Sequence, residues 1–164
     1  MKRQCIPSLF AMLIVLGGQQ VLAQDTSLYK TLPPVTISPT NTKVPEKVWK
    51  SFEKYFATAE NPKWYEANKT YLVKFMTEDN TNKALMTKNG HLIYHISYGY
   101  EKNLPEDIRK QVKGSYYDYE ITRAIKVTGS GRTIWVVNLE DSKEFILVML
   151  EEGDMEEVQK ITKS

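Results

Sequence analysis

The sequence predicts an α+β fold of tandem duplicated units, each a helix followed by four antiparallel strands, with the helices packed on one face of the sheet. Three observations carry this. Val44-Pro45-Glu46 opens VPEKVWKSFEKYF and Leu104-Pro105-Glu106 opens LPEDIRKQVKGSYY, so an apolar residue, a proline and an acid head a helical pattern twice. Downstream of each head the apolar period falls toward two, the spacing of a half-buried strand. The turn signals Lys88-Asn89-Gly90 and Glu152-Gly153-Asp154 recur at about the same interval as the two heads.

The elements follow in chain order. Lys2 and Arg3, the apolar run Leu9 to Leu16, and Val21-Leu22-Ala23 before Gln24 form the three-part layout of a secretory signal peptide, residues 1–23. The run is far shorter than the roughly 20 apolar residues a membrane span needs. Cys5, the only cysteine, lies in the segment removed, so the mature chain has no disulfide, and its place before the apolar run does not suit lipid attachment. Of 22 basic residues two leave with the signal, and the rest balance 20 acidic ones. A chain so close to neutral lacks the concentrated basic face that nucleic acid requires. Residues 24–43 carry Pro33, Pro34 and Pro39 among Ser, Thr and Asn, and read as an extended leader or linker with at most a short strand around Val35–Ile37.

The first unit spans 44–103. Val44, Val48, Phe52 and Phe56 recur every four residues, with Glu46 at the positive helix end and Asn61-Pro62 as the stop. Strands are expected around Trp64, over Tyr71–Met76, at Lys83–Thr87 and at His91–Tyr98, the last two joined at Asn89-Gly90. The second unit, 104–164, repeats the stripe as Leu104, Ile108, Val112 and Tyr116. Its strands are expected at Tyr119–Val127, Thr133–Leu139, Glu144–Leu150 and Met155–Ile161. One helix per unit covers one sheet face, which leaves the other open or used.

VPEKVWKSFEKYF, NPKWYEANKTYLVKFM and the strand ending in TKNGHLIY resemble the secreted PepSY-like domain family described as β-lactamase-inhibitor-like. The resemblance runs over roughly 44–163 and is clearer in the first half, because Glu120-Ile121-Thr122 stands where that family shows a Trp strand. It implies a tandem α/β fold, secretion to a bacterial envelope and no catalytic residues to carry over. Fold likeness alone does not transfer inhibition of β-lactamase.

No residue set for catalysis, cofactor binding or metal binding emerges. His91 and His95, four residues apart on the expected strand His91–Tyr98, lie about 13 Å from each other, too far to share an ion, and read as sheet-surface histidines. Gly129-Ser130-Gly131 leads into a strand rather than a helix N-terminus, and so reads as a flexible hairpin turn in preference to a phosphate cradle. Glu151, Glu152, Asp154, Glu156 and Glu157 match no calcium loop. Trp49, Phe52, Phe56, Trp64, Tyr71, Phe75 and Trp135 read as core. Tyr94, Tyr98, Tyr100, Tyr117 and Tyr119 cluster at the junction of the units, as junction packing or as a partner-binding patch. The function expected is a periplasmic or secreted non-enzymatic binding module that recognises a protein or peptide through the open sheet face. The alternative is an inhibitor or regulator of a secreted hydrolase such as a protease or β-lactamase.

Overall fold

The computed structural model describes Ser38–Pro39 and residues 43–164. The expected signal peptide, most of the leader and the strand expected at Val35–Ile37 lie outside the described residues. The elements are β1 (Ser38–Pro39), α1 (Glu46–Tyr55), β2 (Glu60–Ala67), β3 (Thr70–Thr77), β4 (Asn80–Thr87) and β5 (Leu92–Gly99). A 3-10 turn at Glu101–Asn103 leads to α2 (Glu106–Ser115), then β6 (Glu120–Gly129), β7 (Arg132–Glu140), β8 (Glu144–Glu151) and β9 (Asp154–Thr162).

All nine strands form one sheet in chain order, each antiparallel to the next. This corrects the expected fold class of tandem helix-plus-four-strand units. The protein is mostly a continuous antiparallel sheet with two ten-residue helices. The physical reason is the pairing of β5 with β6, which runs from Tyr94↔Gly129 to Gly99↔Ala124. Backbone hydrogen bonding therefore passes unbroken through the place where the repeated sequence pattern sets a unit boundary.

Pro45 and Pro105 sit at the N-caps of the helices with φ of −56° and −53°, where the missing N–H costs nothing. Exposed Glu46–Lys50 and Glu106–Lys110 ion pairs, at 2.7 and 2.6 Å, add little to either helix. Asn61-Pro62 does not end α1, which stops at Tyr55. Both residues lie in β2, where the pairing with β3 shifts register between Glu60 and Lys63, a place that tolerates a proline.

Val48 and Phe52 of α1 are buried with Val73, Phe75, Ala84 and Met86. Leu104 and Val112 are buried with Ile121, Ala124, Val137, Leu139, Ile146, Val148 and Leu150. Strand register places all these strand residues on one sheet face, so the core is a single layer between helices and sheet. Among the described residues no helix is long and apolar enough to cross a membrane.

Candidate functional site

The helix-side face is closed by aromatic packing at one end. Phe52 is 3% exposed and lies 5.1 Å from both the Trp64 and Phe75 rings, each edge-on, while Phe56 lies 4.7 Å from Phe75. Trp49, expected in this core, stays 37% exposed and donates its indole N–H to Glu53 at 2.7 Å.

Beside that cluster runs a short polar network. Asn82, 1% exposed, donates through Nδ2 to Thr77 Oγ1 at 2.8 Å and to the Asn80 carbonyl at 3.0 Å. Its Oδ1 is left as the acceptor for His95 Nε2 at 3.0 Å, which puts the imidazole proton on Nε2. His95 is thus half-buried on the helix side: its ring lies 4.8 Å from Phe56 and stacks on Phe75. His91 falls outside β5, exposed in the turn before it, so the two histidines do not share a strand.

Burial first, and the Lys126 charge second, hold the His95 imidazole below its ordinary value of 6.5. Folding therefore prefers the neutral ring, and the unfolded chain binds the proton more readily. Stability from this group is present above pH 6.5 and is lost as pH falls from there to the lower folded value. Thermal unfolding followed from neutral to mildly acidic pH should show the loss, and His95→Gln should flatten it. An unchanged slope in that variant assigns the loss to other groups.

The opposite face is uncovered by any described helix or strand. Strand alternation sets Tyr65, Leu72, Leu85, Tyr94, Ile96, Tyr98, Ile125, Val127, Ile134, Val136, Leu147 and Met149 there, all partly buried. Phe145 and Ile161 extend it at 43% and 49% exposed. These residues form an apolar band along one side of the sheet.

Three lysines cross the beginning of that face. Lys63 is directly opposite Lys74, and Lys74 directly opposite Lys83, on three adjacent strands. None of the three makes an ion pair among the described residues. Lys74 Nζ lies 5.0 Å from the centre of the Tyr65 ring, and Lys83 Nζ lies 4.8 Å from that of Tyr98, also meeting its hydroxyl at 3.2 Å. Arg123 repeats the arrangement 4.6 Å from Tyr100. A hollow of about 390 Å³ opens among Lys63, Tyr65, Lys74, Met76 and Thr81.

The five tyrosines singled out in the sequence separate. Tyr94 and Tyr98 stand four residues apart on the open face of β5, with Ile96 between them, and Tyr100 follows just beyond its end, 46% exposed. Tyr119 packs at the edge of the helix-side core, edge-on to Tyr116, and donates its hydroxyl to Glu144 at 2.8 Å. Tyr117 is 78% exposed in the turn after α2. That Glu144 hydrogen bond is the main reason the Tyr119 hydroxyl is held above its ordinary range. The lysine row, absent from the sequence reading, follows from two-residue turns at Asn68-Lys69 and Glu78-Asp79, which make the flanking lysines register partners.

A continuous meander carrying two short helices on one face has solved counterparts. The fold is shared with a BLIP-like protein of Bacteroides fragilis. The two superpose with a TM-score of 0.57 at 16% identity, over 79% of this chain and 91% of that one. A DUF2874 family protein of Bacteroides uniformis matches with a TM-score of 0.54 at 12% identity, covering 72% and 88%. A Bacteroides eggerthii protein provisionally described as periplasmic matches with a TM-score of 0.54 at 13% identity, covering 73% and 88%. No protein-family model matches the sequence, and no curated protein matches it. Likeness at these identities establishes the fold alone.

Proposed function

We propose that this chain is a non-enzymatic binding module of the bacterial periplasm or cell exterior, of PepSY-like, β-lactamase-inhibitor-like type. It recognises a protein or peptide through the open sheet face. Residues 1–23 act as its export signal and 24–43 as its tether. The observation that carries the reading is the partly buried apolar band opposite the helices, from Leu72 through Ile96 to Leu147. A face that no described element covers gains the hydrophobic term when a partner covers it. The BLIP-like and periplasmic descriptions of the structural counterparts support both the binding role and the compartment. Tyr94, Tyr98 and Tyr100 are the proposed anchors on this face, while Tyr117 and Tyr119 lie outside it, Tyr119 against the helix-side core.

Ile96→Asp places a charge in the middle of the band without entering the helix-side core. Its far-ultraviolet circular dichroism and Tm should match those of the parent, while co-purification of envelope protein on the immobilised chain should be lost. Equal recovery of the same partner by both proteins would place recognition elsewhere. The second reading, inhibition of a secreted hydrolase, is favoured by the BLIP-like fold and is tested directly by β-lactamase and protease assays with the purified chain.

A further inference from the structure

We infer that the lysine row turns the first half of the open face into a docking surface for an acidic protein segment, one whose carboxylates alternate with apolar side chains. The inference rests on the open-face reading above and adds the chemistry of the partner. Like charges directly opposite on neighbouring strands destabilise a sheet. Here two such contacts run in series, Lys63 with Lys74 and Lys74 with Lys83, and no described carboxylate neutralises them. The repulsion is present in the free protein and is relieved when anions arrive from outside.

The surroundings select the kind of anion. Across β2–β6 register places only two carboxylates on this face, both at strand ends: Glu60, paired with Met76 at the start of β2, and Glu120, paired with Glu140 at the start of β6. The other open-face carboxylates, Glu140, Glu151, Asp154 and Glu156, belong to β7–β9, and Glu140 and Glu151 are already paired with Lys163 and Arg132. Tyr65 and Tyr98 hold two of the ammonium groups over their rings, which fixes their direction without cancelling their charge. Between and beside the lysines lie Leu72, Leu85 and Ile96, an aliphatic floor that suits Leu, Phe or Tyr side chains better than sugars or phosphates. Lysines on adjacent strands stand about 4.8 Å apart. Carboxylates one helical turn apart, about 6 Å, or two residues apart on an extended chain, come within reach of their flexible stems.

Three synthetic peptides test this, sharing the same Leu, Phe and Tyr positions and carrying Glu, Gln or Lys between them. Calorimetry at low ionic strength should show the Glu peptide binding about tenfold more tightly than the Gln peptide, a difference that shrinks as salt is added. The Lys peptide should not bind. Lys74→Glu converts both like-charge contacts into opposite ones, so it should raise Tm while losing the Glu peptide. Equal affinity for the Glu and Gln peptides overturns the acidic preference and leaves the open-face reading standing. Binding of neither peptide overturns both. A dimer in sedimentation that Lys74→Glu dissolves makes a second copy the occupant, and also overturns the inference. So does a lowered Tm for Lys74→Glu with unchanged affinity.

Discussion

Phe52→Ala should destabilise the protein by about 3–5 kcal/mol, the range for removing a buried aromatic ring and leaving a cavity behind. Phe52 is 3% exposed and its ring touches four others, those of Trp49, Phe56, Trp64 and Phe75. It is where α1 enters the sheet. Val48 lies one turn away on the same stripe, with no exposure at all, so the space left by Phe52 is closed on its helical side. Neighbouring rings are rigid and cannot collapse into the void, which places the cost toward the upper part of the range. That is a large fraction of the about 5–15 kcal/mol by which whole domains are stable, so the variant should unfold at a much lower urea concentration than the parent. Urea unfolding followed by tryptophan fluorescence measures the loss, because Trp49 and Trp64 both report on this cluster. Phe52→Leu should recover much of it. A loss below about 1 kcal/mol for the alanine variant would show that the cluster repacks.

Gly90→Ala should have the next largest effect, although it adds only a methyl group. Gly90 closes the turn between β4 and β5 with φ at +82°, where residues other than glycine are strained. Its backbone N–H donates to the Thr87 carbonyl at 2.9 Å, so the turn cannot relax without losing that bond. An added Cβ would stand 2.3 Å from Ser51 Oγ and 3.0 Å from the Lys47 carbonyl oxygen. The turn thus lies directly under α1, and a methyl there pushes helix and sheet apart. Conformational strain of about 1–2 kcal/mol and overpacking of about 1–3 kcal/mol both oppose the change. Ser51→Gly in the same chain removes the closest clash but not the strain. The double variant should therefore recover part of the stability in chemical denaturation. Full recovery would mean that the positive φ costs nothing; no recovery would mean that the Lys47 backbone is the obstacle.

Much of the local structure was legible because each signal acts over a few residues. The i, i+4 stripes of Val48, Phe52 and Ile108, Val112 locate both helices, and Asn89-Gly90 and Glu152-Gly153 locate two hairpin turns. Two other turns could not be placed to the residue because they contain no glycine. Asn68 and Lys69 adopt φ of 47° and 66°, and Glu78 adopts 47°, conformations that side chains alone do not announce. Missing them hid the register that sets Lys63, Lys74 and Lys83 side by side. How the tyrosines divide between the two faces was hidden for a related reason. Proximity in sequence grouped five of them, but Tyr94 and Tyr98 sit on a strand face whereas Tyr117 and Tyr119 follow a helix, so the same span of chain serves opposite sides of the sheet.

By itself the sequence determined where the helices and most strands form and which of their residues are apolar, since periodicity and turn chemistry are properties of short segments. Only the tertiary structure decided that the strands join into one sheet, because the β5–β6 pairing is made between residues some thirty positions apart and depends on hydrogen bonds that any side chains could frame. It also decided the place of His95, which packs half-buried on the helix side against Phe56 and Asn82. The open face belongs to both levels. Alternation selects its residues, and register alone brings three positive charges into line across it.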